Sequence, residues 1–202
     1  MASDVDICNL ALARVGDGAN VASIDPPEAS IQAQHCARFY PIARDSLLEL
    51  HAWGFAVRRD QLAELDVDTF NWAHAYAKPN NCLRLLAVLP EAGSPQDDSQ
   101  RYEVYGNSDG AQAIFTDQEN ATLSYVARVT DTARFTPLFV DAMGWLLGSY
   151  LAGPLIKGAQ GMATAKMCLE NFRTVVAAAV VSDSKQRMLS PRHAPGWIAG
   201  RA

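Results

Sequence analysis

YPIARDSLLELHAWGFAVRR, residues 40–59, carries a helical apolar pattern into a Trp-Gly-Phe corner and leaves it as an extended segment. Ala43, Leu47 and Leu50 continue a face begun by Ile31, Cys36 and Phe39 or Tyr40, at the spacing that lines one side of a helix. This predicts a second helix over residues 27–51, with Pro27 in its first turn. Pro41 cannot donate to the carbonyl one turn back, so a kink near Ala37 or a break before Pro41 is expected. Beyond Trp53, Gly54 is placed to close the helix in a left-handed cap, and Phe55 and Val57 put apolar bulk beyond it. The stretch reads as a structural junction whose candidate residues are Arg44, Asp45, Trp53 and Phe55. Arg44 and Asp45 read as a solvated or interface ion pair, because no histidine or nucleophile lies at helical spacing from them.

Towards the N-terminus, Ile7, Leu10, Ala11 and Val15 predict a short helix, with Ser3 or Asp4 as its cap and Gly16 as its stop. A loop rich in Gly, Asp, Asn and Pro then leads to the second helix. Past the corner the pattern changes to short β segments at residues 83–89, 102–105, 113–116 and 122–129. Turn-rich stretches at 79–81, 93–98 and 106–110 separate them, which predicts one small antiparallel sheet with a hairpin over 102–116. The Gly- and Asp-rich loop 106–110 lacks the acidic run and later glutamate of a calcium loop, so it reads as a plain turn and no metal is expected.

Helical pattern returns at Thr136, a natural N-cap, with Pro137 at the first helical position. Residues 137–156 are apolar on most sides and long enough to raise the question of a membrane span. Asp141, Gly144, Gly148, Gly153 and Pro154 favour a buried helix, with Gly144 and Gly148 giving a flat face for close packing. A last helix over about 159–182 follows, with Met162, Ala165, Leu169, Phe172, Val176 and Ala179 or Val180 as its apolar face, antiparallel to its predecessor. The expected fold class is α+β: a mainly α-helical bundle (1–54 and 130–182) with an inserted small antiparallel sheet (55–129) and an extended C-terminal tail (183–202).

The 202 residues carry a net charge of −5, which argues against a general phosphate-driven nucleic-acid binder, since that needs a dense basic footprint, and leaves only local basic contacts. Cys8, Cys36, Cys82 and Cys168 are far apart and form no CxxC pair, so they read as packing residues in a reducing compartment. Asp4 and Asp6 come almost at once after Met1, with no basic region before an apolar run, so a secretory signal is not expected. His35, His51, His74 and His193 are scattered, and neither a G-x-S-x-G elbow nor a Gly-rich phosphate loop occurs. No catalytic residue and no cofactor is therefore expected.

The tail from residue 183 has two prolines, two glycines and no amphipathic period. Lys185, Arg187, Arg192 and Arg201 make it basic, and it carries Met188, Leu189, Trp197 and Ile198. Such a segment cannot build a core of its own, and a Trp in it is costly to leave in water. These eight residues are expected to dock on another subunit.

Four features together resemble one family: ICNLALARVGD at residues 7–17, IDPPEAS at 24–30, CARxYxxxRDxLLExHxWxFA at 36–56, and the WIAGR ending. They look like the tail tubular protein A family, head-to-tail adaptors of short-tailed phages, over nearly the whole chain. Ala52 and Gly54 stand where proline and asparagine are expected, and Pro41 interrupts the second helix. The resemblance implies a non-enzymatic virion protein in the collar between capsid and tail. It implies a homo-oligomer, a dodecameric ring whose C-terminal segments clasp the portal protein, whose far end receives the tail nozzle protein, and whose lumen passes DNA without reading it. Loops 93–99 and 106–110 are the candidates for the nozzle contact, and Glu28, Asp45, Glu49 and Asp60 for an acidic lumen that repels phosphate. The alternatives are a tail-associated wall-degrading enzyme and a helical interaction module unrelated to phage.

Overall fold

The computed structural model describes residues 2–69, 71–91, 93, 98–106 and 111–186. In chain order these form α1 (Asp4–Arg14), α2 (Ile31–Leu50), β1 (Val57–Gln61), β2 (His74–Ala77), β3 (Cys82–Leu89), β4 (Tyr102–Gly106), β5 (Gln112–Thr116), β6 (Thr122–Ala127), a short 3-10 turn (Thr132–Arg134), α3 (Pro137–Ile156) and α4 (Gly158–Ser184). The fold is mixed α+β, and all six strands lie between α2 and α3 in the chain.

Ser3 caps α1 through a reciprocal box with Asp6, and Gly16, at φ +80°, ends it in a left-handed turn. Asn9 then holds the following loop from both sides, its side chain donating to the Val21 carbonyl at 3.0 Å and accepting from the Val21 amide at 2.8 Å. α2 starts later than residue 27: Ser30 is its N-cap, and Pro27 belongs to the preceding loop. The helix also runs unbroken through Pro41. Pro41 is exposed, so water can reach the carbonyl it leaves unpaired. At the other end His51, in extended conformation, closes α2, and Gly54 is not in the left-handed region.

α3 packs against α1, α2 and α4. It is long and apolar enough to cross a membrane, yet Phe139, Met143, Leu147 and Leu151 are wholly buried in the protein core. Thr136 caps it as expected, whereas Pro154 lies inside its last turn. The reversal into α4 takes only Lys157 and Gly158, both at φ +59°. Two close approaches then hold the hairpin together: a Cβ on Gly148 would lie 3.5 Å from Cys168 Sγ, and one on Gly161 would lie 3.0 Å from the Ala152 carbonyl.

There are two three-stranded antiparallel sheets, β1-β6-β3 and β2-β5-β4, where one was expected. Alternation along β6 sorts the layers: Val126 joins the helical core with Leu83 and Leu86, while Leu123 and Tyr125 face Ile114, Tyr76 and Val104 of the second sheet. The first sheet is thus sandwiched between helices and second sheet. The outer face of the second sheet (Ala75, Ala113 and Phe115) is covered by Leu65, Val67 and Trp72 from the β1–β2 connection. The expected hairpin over 102–116 is present as β4 and β5, while residues 107–110 between them lie outside the described set.

All four cysteines are buried and unbridged. Several residues expected in the core are on the surface instead: Ile31 is 63% exposed, Leu50 51% and Met162 75%, with Leu169 partly exposed. Of the predicted α4 face, only Phe172 and Ala179 are buried.

Candidate functional site

The aromatic corner begins with Trp53, which is fully buried where the chain leaves α2. Its indole N–H donates to the Leu47 carbonyl at 2.8 Å, one of the last-turn carbonyls that α2 cannot satisfy internally. Phe139 and His51 meet the indole edge-on, with ring centroids 5.1 and 4.9 Å away. Phe55 stacks alongside at 6.3 Å and continues the cluster to Phe139 at 5.1 Å and Phe135 at 5.7 Å. Rings from the end of α2, the start of α3 and the segment before it therefore share one packed node.

That node also receives the end of α4. Asp183 is 5% exposed and accepts from the Gly54 amide at 2.9 Å through one oxygen, while its other lies 3.1 Å from His51 Nε2. Here the missing side chain of Gly54 matters for proximity and not for backbone angle, since a Cβ there would come 3.3 Å from the same carboxylate oxygen. α4 runs on through Ser184, so Asp183 and Ser184 are helical and not part of an extended tail. Lys185 caps the helix, its amide donating to the Val181 carbonyl, and its side chain is exposed. Arg187, Met188, Leu189, Arg192, Trp197, Ile198 and Arg201 lie outside the described residues.

Arg44 and Asp45 form the pair expected of them, and the pair reaches further. Arg44 Nε donates to Asp45 Oδ1 at 2.9 Å, and Arg128 Nε donates to Asp45 Oδ2 at 2.8 Å. Asp45 thereby ties α2 to the residue that follows β6. A second polar tie lies between β1 and β6: the Tyr125 hydroxyl donates to Asp60 Oδ2 at 2.6 Å. Burial first, and the Asp60 carboxylate second, push the Tyr125 phenol up to about 12.

Trp53, Phe55 and the Arg44–Asp45 pair all lie at the handover from helix to strand. Residue-by-residue reading missed Arg128 and Asp183, and with them the partners of His51 and Gly54. These ties span 83 residues or more along the chain, and no local pattern marks them. Glu28 accepts from the Ala22 amide and the Ser30 hydroxyl, and Glu49 is exposed on α2. Among the described residues no cluster of three metal-ligating side chains occurs. No protein-family model and no curated protein matches the chain.

Proposed function

We propose that this chain is a structural, non-enzymatic head-to-tail adaptor subunit of a phage particle. In this reading copies form a ring, dodecameric in the family it resembles, that joins the portal protein to the tail nozzle protein and lets DNA pass. The helices make the ring body, residues 55–129 are an inserted β layer, and the basic segment that follows α4 clasps the portal. The observation that carries the reading is the anchoring of Asp183 between Gly54 and His51. It fixes the end of α4, the helix from which the tail continues, to the buried aromatic node of Trp53, Phe55 and Phe139.

Two further features support it. Ile31, Ile42, Leu50, Met162, Met167 and Val181 are each more than 40% exposed, which suits a subunit that loses more surface on assembly. The run CARxYxxxRDxLLExHxWxFA that carries the resemblance is also the part of the chain whose side chains make the node and the Asp45 tie. The reading is tested by imaging the particle that contains the chain at a resolution sufficient to see its collar. Density of a labelled copy between capsid and tail is the expected result; label confined to another part of the particle, or no label in it, would contradict the proposal.

A further inference from the structure

A shallow cavity of about 260 Å³ opens beside the junction, where the chain leaves β6 and approaches the 3-10 turn. Arg58, Arg128 and Arg134 line it together with Asn81, Thr130 and Asp131. Three guanidiniums thus face one carboxylate, on a chain whose overall charge is −5.

The few acids at hand are already engaged. Asp131 accepts from the Ala133 amide at 3.0 Å and pairs with Arg134 Nε at 3.5 Å. Asp45, just outside the cavity, is shared by Arg44 and Arg128. Each lining arginine keeps donors in reserve, because the bonds it makes use only part of its fork. Arg58 uses Nη1 on the carbonyls of Phe55 and Val57, and Arg128 and Arg134 use Nε alone. Among the described residues, the terminal nitrogens of Arg128 and Arg134 and the Nη2 of Arg58 have no partner.

Five N–H donors in a planar fork match the oxygens of a carboxylate or a phosphate, and of the two the phosphate offers oxygens in more than one plane, so that several forks around one cavity can grip it from more than one side. We infer that this cavity is a binding site for a phosphate group, held by Arg58, Arg128 and Arg134. The group is either a free phosphate or a phosphate of a nucleic-acid backbone. The inference stands on the cavity's own donors and not on the adaptor reading, so either can fail alone.

The test titrates the full chain with inorganic phosphate by calorimetry, and in parallel with a labelled DNA duplex at low salt by fluorescence anisotropy. Arg58→Gln and Arg134→Gln are compared with Arg173→Gln, which removes an exposed charge from α4. The two cavity variants act on different elements, and the thermal midpoint of each confirms that it is folded. Saturable phosphate binding that weakens about tenfold in each cavity variant, and stays unchanged in R173Q, is expected. A matching loss for the duplex assigns the site to backbone phosphate, and duplex binding unaffected by the cavity variants assigns it to free phosphate. Absence of saturable binding of either probe, or equal weakening in R173Q, overturns the inference.

Discussion

Trp53 is held by shape and by one hydrogen bond at once, which is why it dominates the corner. Three aromatic neighbours fill the space around its ring and the Leu47 carbonyl satisfies its N–H, so nothing nearby can collapse into the space a smaller side chain would leave. Trp53→Ala is expected to lower stability by about 3–5 kcal/mol, read from the urea midpoint. Unchanged stability would show that the node is not closed around the ring. Asp183 acts by a different mechanism, as the acceptor for a backbone amide and an imidazole. Asp183→Ala leaves the Gly54 amide without its acceptor and is expected to cost about 1–3 kcal/mol in the same measurement. Its second expected effect is faster hydrogen exchange at the last turn of α4, while α1 keeps its protection. Uniform loss of protection in both helices would mean that Asp183 has no local anchoring role.

The helices show where packing overrules local preference. Gly144 sits where α1 crosses α3: a Cβ there would fall 2.7 Å from Arg14 Nη1 and 3.0 Å from Leu10 Cδ2. Arg14 cannot simply swing away, because it donates to the Asp141 carbonyl, pairs with the Asp141 carboxylate and lies over the Trp145 ring at 4.2 Å. Gly144→Ala is therefore expected to destabilise by about 1–3 kcal/mol by overpacking, despite the roughly 1 kcal/mol that alanine gains over glycine in an isolated helix. A more stable variant in thermal melts would contradict this crossing. The same contest between local signal and packing explains what was legible in the chain. Caps with their own chemistry, Ser3, Gly16 and Thr136, could be read directly, as could β3 to β6 with their apolar content. β1 was not legible because VRRDQ has no alternation; it is an edge strand whose order comes from its pairing with β6. Similarly, β2 (HAYA) sets one large apolar side chain, Tyr76, between two alanines, and neither alanine is β-branched or aromatic, so nothing in it signals a strand. The Trp-Gly-Phe corner could be seen as a junction, but the carboxylate that fills it comes from 129 residues downstream of Gly54.

At the scale of the whole molecule, three layers follow one another: helices, a first sheet that packs apolar side chains on either face, and a second sheet capped by the β1–β2 connection. Only the helical layer carries both the exposed apolar side chains of α2 and α4 and the root of the C-terminal segment. In the adaptor reading this divides the labour, with ring contacts and portal contacts on the helices and the sheets projecting elsewhere. Truncation after Leu189 removes Trp197 and the last two arginines and keeps every buried residue of the described core, so the truncated chain is expected to keep the thermal midpoint of the full chain. The central claim is tested most directly by mixing each form with the portal oligomer of the same particle and measuring the mass of the complex. The account predicts a portal carrying a complete ring of full-length chains and a bare portal with the truncated form; a full-length chain that never binds the portal, or a truncated one that binds equally well, would contradict it.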